Sequence, residues 1–436
     1  MTFIDGAVNF LNNSLPATTH NLTNGSSVGN PIDTSPQSND PRNLVSATIN
    51  FGGYLPQDTT VKEVIIGESL LNPSAHVAVT LQSAIYTETV KDWSQLKCKE
   101  LTLDITDAND TNLRTMKVRQ EIYRLDNRHF AAMNTGQVEE LTVHAIDSSI
   151  LKDAETTWEK SWKCSTPSQV VREALQKLGV STRFVENSGP ARPYVAESIH
   201  PLQVIQQQAN VALDGDDPSF LHFMRINDAT GENEHHFTPL SRLARTSSPY
   251  DIYAADTAIT GGKSFSDSIF RNYNVAVTFS FPCDFDTLTD ILNGIDCDGV
   301  NLNQTRTMNF VNGVSDAVGA IGQAVGIANK FFSTTNSGTS QQQKGCDTAV
   351  EKYLHKRQAR MALLDRDKIA LRLTVPWSPW LHVGNKIHFH WNDRFDPTRE
   401  LYGSGQYIIA HLTHNIQFGG YAVTNLDCIA NTLGRG

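Results

Sequence analysis

The chain has 436 residues, 39% of them hydrophobic and 19% charged, a composition that can form about three compact domains. Its 36 Lys and Arg and 46 Asp and Glu residues give a net charge of −10, which argues against sequence-specific nucleic-acid binding. No apolar run reaches the ~18–20 residues that a membrane span needs. The six cysteines are scattered without a CxxC pair, which predicts reduced thiols and disfavours a zinc site.

Residues 1–44 are rich in Asn, Ser, Thr, Pro and Gly and show almost no hydrophobic periodicity. Such a segment buries too little apolar surface to fold by itself. We expect an extended, low-complexity docking arm that is ordered by neighbouring proteins.

Residues 45–160 show the two-residue hydrophobic alternation that is typical of half-buried antiparallel strands. The apolar members of the two clearest runs are Val77, Val79, Leu81 and Ile85, and Leu101, Leu103 and Ile105. The pattern predicts a first β tube domain.

Residues 161–240 change to helical periodicity. Thr166 can cap a helix with Pro167 at its first position, Gln169 completes a capping box, and Gly179 ends the helix. A second helix is predicted over 198–212, followed by a hairpin whose turn lies at 227–231. These elements predict a small α+β domain.

Residues 241–284 and 366–436 return to strands, including one continuous strand predicted at 274–281. The intervening residues 285–365 predict a helical insertion with a flexible linker. The fold class is therefore α+β, with two antiparallel β-barrel-like tube domains flanking a small helical α+β domain and a helical insertion in the second barrel.

Within the insertion, residues 311–332 carry apolar side chains at alternating spacings of three and four, which is a heptad seam. We expect this helix to contact another chain, with a buried helix of the insertion itself as the alternative. The candidate interaction residues are Val311, Val314, Val318, Ile321, Val325 and Phe332.

Candidate ligands for a metal occur near the carboxyl terminus. His388 and His390 point to one face of a predicted strand, and His382, His411 and His414 lie in neighbouring segments. A zinc site needs three or four convergent ligands, and no Glu adjoins this pair in the sequence. We therefore expect no metal and no cofactor, and interpret these groups as surface or interface imidazoles.

Two further groups of residues have non-catalytic interpretations. Aspartates crowd residues 284–298, but without the spacing of a calcium loop, so we expect a solvated acidic loop. The aromatic residues suit either sugar stacking or a core or interface: Trp377, Trp380, Trp391, Tyr402 and Tyr407. The sequence contains no G-x-S-x-G, Walker A or G-x-G-x-x-G motif, and it nominates no catalytic set.

Three stretches together resemble the baseplate hub proteins of contractile-tailed bacteriophages, which are related to the hub part of type VI secretion spikes. The first is TPSQVVREALQKLGV, followed by ESIHPLQVIQQQANVA and the strand FLHFMRI. The second is PWLHVGNKIHFHW, in which a Gly-Asn turn precedes a strand. The third is the closing hairpin GQYIIAHLTHNIQFGGYAVTNLDCI. Their order and spacing carry the resemblance.

The resemblance implies a non-enzymatic homotrimer that joins the sixfold tail tube to the threefold central spike and leaves a channel for DNA. Its implied partners are the tail tube protein, the central spike protein, baseplate wedge proteins and the tape measure protein. The implied location is the virion tail, after assembly in the host cytoplasm. The alternative is a tail-associated hydrolase or binding protein for cell-envelope polysaccharide or peptidoglycan.

Overall fold

The computed structural model describes residues 32–33, 45–53, 59–85, 96–107, 115–133, 136–246, 250–254, 275–282, 357, 360–361, 363–364, 369–393, 399–401, 403–418 and 422–430. Most of these residues lie in strands, and the helices among them are short. The described part of the chain is therefore β-rich, as the alternating sequence patterns predict.

The first β segment follows a two-residue strand, β1 (Ile32–Asp33), that falls inside the predicted arm and pairs with β2. The segment contains β2 (Val45–Phe51), β3 (Thr59–Ser69), β4 (His76–Ile85), β5 (Glu100–Asp107), β6 (Thr115–Met133) and β7 (Gly136–Ile146). The strands are ordered β1-β2-β5-β6-β7-β4-β3, with antiparallel pairing throughout. Leu101, Leu103 and Ile105 are buried on one face, as their alternation predicts.

The middle segment mixes helices and strands. Its elements are α1 (Ser148–Glu155), β8 (Trp158–Ser165), α2 (Pro167–Leu178), β9 (Phe184–Val185), β10 (Arg192–Ile199), α3 (Pro201–Ala209), β11 (Phe220–Ile226), β12 (Asn233–Pro239) and α4 (Leu240–Arg245). Strands β8 and β10 form an antiparallel ribbon. Strand β12 pairs antiparallel with β11 and parallel with β9. The helices α2 and α3 pack around an apolar cluster that contains Trp162, Phe220 and Phe237.

Helix α2 has the predicted ends. Thr166 Oγ1 accepts from the Gln169 amide, and the Gln169 side chain accepts from the Thr166 amide. Pro167 occupies the first turn, and Gly179 adopts the left-handed conformation with φ of 78°. The capping box and the glycine stop satisfy backbone groups that the helix leaves without partners, so this prediction is confirmed.

The second β segment contains β13 (Tyr250–Ala254), β14 (Val275–Ala276), β15 (Thr278–Ser280), β16 (Leu371–Pro376), β17 (Lys386–His390), β18 (Gly405–Gln417) and β19 (Ala422–Ile429). Its pairings run β18-β17-β13-β14 on one side and β18-β19-β16-β15 on the other. Strands β14 and β15 end the two series and are separated only by Val277. The two series are therefore linked at one end by β18 and at the other by the chain that runs from β14 into β15.

The structure corrects two predicted elements and one expected pairing, and it contains one helix that the sequence did not predict. The second β segment is not wholly antiparallel, because β13 pairs parallel with β14 and with β17. The strand predicted at 274–281 is divided at Val277, because β14 pairs with β13 and β15 pairs with β16. The second helix begins at Pro201 rather than Ser198, whose φ of 49° places it outside the helix. It ends at Ala209. No prediction covered the short helix α1.

The two β segments join edge to edge. Strand β3 pairs antiparallel with β18 over seven residue pairs, from Glu63 opposite Gln417 to Ser69 opposite His411. One hydrophobic cluster accordingly contains Val64 of the first segment, Ile226 of the middle segment and Trp377 and Ile416 of the second. The packing is therefore continuous across the three segments.

Only the end of the predicted insertion 285–365 is described. Arg357 Nη1 donates to the carbonyl oxygens of Pro218 at 2.7 Å and Phe220 at 3.0 Å, while Leu363 and Leu364 lie in the second segment's core. Residues 311–332, including every candidate interaction residue, lie outside the described residues. Cys98 and Cys428 are free thiols, but Cys164 is disulfide-bonded, so the expectation of reduced thiols is wrong there.

Candidate functional site

A buried carboxylate lies where the three segments meet. Val64, Ile66 and Glu68 alternate along β3 and therefore share the core-facing side of the sheet. The side chain of Glu68 is fully buried, in a position where the strand pattern calls for an apolar residue. A buried carboxylate is stable only when it is paired and hydrogen-bonded, so its partners define the site.

Each partner of Glu68 comes from another segment. Its Oε1 accepts from the Ile226 amide at 2.9 Å, at the end of β11. His382 Nδ1 lies 3.1 Å from the same oxygen, and the Val383 amide donates to Oε2 at 3.2 Å. His382 Nε2 lies 3.3 Å from Asp228 Oδ2. The imidazolium thus bridges two carboxylates that belong to different segments.

The electrostatics support a charged His382. Burial would lower its pKa, but the carboxylates of Glu68 and Asp228 outweigh burial and raise the pKa of His382 to about 10. Burial likewise would raise the pKa of Glu68, but His382 and the Ile226 amide lower it below its usual value. The pair is therefore an ion pair at neutral pH. The neighbouring His414, also buried, has its pKa lowered to about 3, chiefly by burial.

A glycine turn follows His382, the partner of Glu68. Gly384 has φ of +75°, and a Cβ at this position would lie 2.6 Å from Arg225 Nη2 and 3.3 Å from Leu243 Cδ1. The turn is tied to β18 because the Gly384 amide donates to the Ile409 carbonyl at 2.7 Å and the Ile409 amide donates to Asn385 at 3.0 Å. The glycine of the Gly-Asn pair in PWLHVGNKIHFHW therefore has a physical role: it adopts the left-handed backbone without strain and leaves room for the Arg225 and Leu243 side chains.

The predicted hairpin turn at 227–231 fastens the middle segment to the first. The Lys117 amide donates to the Asp228 carbonyl, and the Arg119 amide donates to the Gly231 carbonyl, both at 2.9 Å. The turn thereby hydrogen-bonds to the edge of β6 that faces away from β5. Gly231 has φ of +76°, and a Cβ there would lie 3.0 Å from the Val118 backbone, so the close approach requires glycine.

The geometry suits mechanical fastening better than catalysis. Glu68 already receives two backbone amides and an imidazolium, and its side chain is fully buried. A catalytic carboxylate must instead reach a substrate. What this arrangement does is hold β3, the β11–β12 turn and the loop before β17 in one fixed relation.

A second cluster resembles a nucleophile and base but is also buried. Ser149 Oγ lies 3.2 Å from His235 Nε2, and His235 Nδ1 lies 3.1 Å from His222 Nε2. Ser149 and His235 are at most 1% exposed, and burial lowers the pKa of His235 to about 4. The spacing matches a Ser–His pair, but substrate cannot reach this serine without a rearrangement, so the cluster supports core packing.

The structure brings together two of the histidines that the sequence singled out. Asp251 Oδ1 lies 3.0 Å from His390 Nε2 and 3.8 Å from His388 Nδ1. Glu400 Oε1 lies 2.9 Å from His390 Nδ1. The prediction that no Glu lies beside His388 and His390 is therefore wrong. The chain folds back after β17, where Asn392 pairs with Glu400, and this brings Glu400 next to His390.

The other residues singled out in the sequence are placed as follows. His382 and His414 belong to the buried junction, apart from His390. Trp377 and Tyr407 are buried core side chains, and Trp380 and Trp391 pack partly buried against the cluster that contains Tyr407. The acidic loop at 284–298 and Tyr402 lie outside the described residues.

No helix in the described ranges is both long and apolar enough to cross a membrane. No protein-family model matches the chain, and no curated protein matches it. The chain is similar in structure to an E. coli component of the type VI secretion system, at 10% identity and a TM-score of 0.46, covering 87% of this chain and 76% of the other.

Two tail proteins are also similar. One is the 43 kDa tail protein of prophage MuSo2 from Shewanella oneidensis, at 9% identity and a TM-score of 0.46, covering 90% and 99% of the two chains. The other is the tail protein from Neisseria meningitidis MC58, at 10% identity and a TM-score of 0.47, covering 89% and 97%.

Proposed function

We propose that this chain is the structural baseplate hub of a contractile phage tail. Three copies would form a ring that joins the sixfold tail tube to the threefold central spike and leaves a channel for DNA. The observation that carries the proposal is the antiparallel pairing of β3 with β18, which makes the two β segments of one chain a single continuous sheet.

A threefold ring can match a sixfold tube only if each subunit presents two similar units at a fixed angle. The β3–β18 pairing and the ionic junction at Glu68 supply that rigidity, because both would have to break before the segments could rotate. In this proposal the tube domains are residues 45–160 and residues 241–284 with 366–436. The α+β domain at 161–240 packs at their junction, and closed cyclic symmetry is the ordinary form of such assemblies.

The net charge of −10 supports a channel that lets DNA pass. Acidic walls weaken phosphate contacts, and the chain lacks the basic excess of a protein that retains nucleic acid. The burial of Ser149 and Glu68 supports a role without enzymatic activity.

The remaining segments would serve assembly in the host cytoplasm and docking in the virion. Residues 1–44 would bind neighbouring tail proteins, and the insertion at 285–365 would place the 311–332 helix against another chain. The partners in this proposal are the tail tube, central spike, wedge and tape measure proteins.

Native mass spectrometry and negative-stain imaging of the purified chain test the proposal. We expect a trimer with a central opening. A protein that stays monomeric at micromolar concentration, and that occupies no threefold ring in purified virions, contradicts it.

The seam in the insertion has its own test. Replacing Val318 and Ile321 with Asp should leave the melting temperature unchanged but prevent incorporation into tails. The control replaces Ser315 and Gln323, which lie off the seam, with Asp and should assemble. A large drop in melting temperature for the seam variant would mean that the helix belongs to the subunit's own core.

A further inference from the structure

We propose that Asp251, His388 and His390 bind a divalent transition-metal ion, with Glu400 orienting one ligand. The three side chains offer donor atoms that all lie within 4.8 Å of one another. Two imidazole nitrogens and one carboxylate oxygen form a ligand set that suits zinc and its neighbours in the first transition series.

Strand pairing creates this convergence. Strands β13 and β17 are parallel neighbours, with Asp251 opposite His388 and Tyr253 opposite His390. His388 and His390 are two residues apart on β17, so their side chains share one face of the sheet, and their ring centroids are 4.0 Å apart. Tyr253 stacks on His390 at 4.6 Å, which limits the rotation of that imidazole.

The distances match coordination by a single ion. Ligand atoms about 2.0–2.1 Å from a tetrahedral zinc ion lie roughly 3.4 Å from one another. Asp251 Oδ1 is 3.0 Å from His390 Nε2 and 3.8 Å from His388 Nδ1, values that bracket this separation, and all three donor atoms lie within 4.8 Å of one another. The Asp251 side chain is 54% exposed, which leaves solvent access for entry and for further ligands.

Glu400 supplies the strongest argument. A carboxylate only accepts hydrogen bonds, so the proton between Glu400 Oε1 and His390 Nδ1, at 2.9 Å, resides on Nδ1. A neutral His390 then directs the Nε2 lone pair at Asp251 Oδ1, another acceptor, 3.0 Å away. Either a second proton on the imidazole or a metal ion between the two atoms satisfies this pair of acceptors. A carboxylate bound to the far nitrogen of a metal-binding histidine is the usual second-shell arrangement.

The rival cation is a second proton on His390. Such a proton satisfies Asp251 and Glu400, but it does not explain His388, whose Nδ1 at 3.8 Å is beyond hydrogen-bond distance from the same oxygen. A metal ion engages all three side chains. The ion would link β13 to β17, close to the residues of β13 that pair with β14.

Zinc titration of the purified full-length chain, after treatment with a chelator, tests the proposal. Isothermal calorimetry should show one zinc ion per chain with the wild type. Asp251→Asn and His388→Ala should each lose that site, and Glu400→Gln should weaken it by about 10–100-fold. The matched control is His129→Ala, because His129 is exposed on β6, away from the cluster, and should bind as the wild type does.

Cobalt(II) provides a second readout that does not depend on stoichiometry. The visible absorption of bound cobalt(II) depends on the ligands around the ion. The spectrum of the protein-bound ion should change in Glu400→Gln and should be absent in His388→Ala. Circular dichroism checks that each variant folds, and Asp251→Asn preserves side-chain size if His388→Ala does not fold. Absence of stoichiometric binding to the wild type, or binding that Asp251→Asn and His388→Ala leave unchanged, overturns the proposal in favour of a protonated His390.

Discussion

Gly384 and Arg225 are packed so closely that a methyl group at position 384 would lie 2.6 Å from Arg225 Nη2. Arg225 Nη2 is the end of a flexible side chain whose pKa is lowered by burial, and it would have to shift to make room for the methyl group. The same glycine directs the chain from His382 into β17. A single backbone turn therefore controls both the packing around Arg225 and the position of the Glu68 ion pair.

Gly384→Ala should lower the free energy of unfolding by about 2–4 kcal/mol, since the left-handed backbone costs roughly 1–2 kcal/mol and the overlap with Arg225 adds a cost of overpacking. Chemical denaturation measures the change. Gly215→Ala is the matched control, because Gly215 also has positive φ, +61°, but has no atoms within 4 Å of an added Cβ. Equal losses in the two variants would show that the contact with Arg225 contributes nothing.

Glu68→Gln should lower the free energy of unfolding by roughly 3 kcal/mol, near the lower end expected when one partner of a buried ion pair is removed. The Gln carboxamide oxygen can accept from only one of the Ile226 and Val383 amides, its NH2 group meets the other amide, and the side chain no longer balances the charge of His382. Denaturant unfolding of Glu140→Gln gives the comparison, because Glu140 pairs with Lys62 at a half-exposed site. That variant should lose at most about 1 kcal/mol, and a similar loss in both would contradict the buried-pair interpretation.

Much of the local structure could be predicted from sequence, because the determining residues are neighbours. Thr166 and Gln169 specify a helix start within four positions. The turn at 227–231 is likewise formed by its own residues, since Asn227 Oδ1 accepts from the amides of Ala229 and Thr230. Such elements depend on short-range hydrogen bonds that the sequence displays directly.

The junction and the convergence of Asp251 on His388 and His390 could not be predicted, because they depend on strand register between distant residues. Glu68 and His382 are separated by 314 positions, and nothing local shows that β3 pairs with β18. Asp251 reaches His388 only through the parallel pairing of β13 with β17. One signal was available: Glu68 continues the alternation of Val64 and Ile66, and a charge on an apolar face indicates a buried partner.

The stability contribution of His382 should disappear in alkaline solution. Its pKa of about 10 in the folded protein lies above the ordinary value near 6.5, so its stabilisation is complete below pH 6.5 and is lost as pH rises toward 10. The difference in unfolding free energy between the wild type and His382→Gln should shrink by up to about 1.4 kcal/mol per pH unit from pH 7 to 9. Measurements at pH 7, 8 and 9 check this, and a constant difference would mean that His382 is neutral in the fold.

His414 should act in the opposite direction, in acid. Burial lowers its pKa to about 3 in the folded protein, so the unfolded chain binds a proton below pH 6.5 that the folded chain does not. Stability therefore falls as pH decreases from 6.5 to 5, a range in which Glu68 stays ionised. His414→Gln, which retains a polar group opposite Thr424 Oγ1, should make this fall shallower by up to about 1.4 kcal/mol per pH unit. His129→Gln is the control, because His129 is exposed on β6 and its imidazole is not buried on folding. If the two variants change the acid slope equally, the protonation of His414 is not coupled to unfolding.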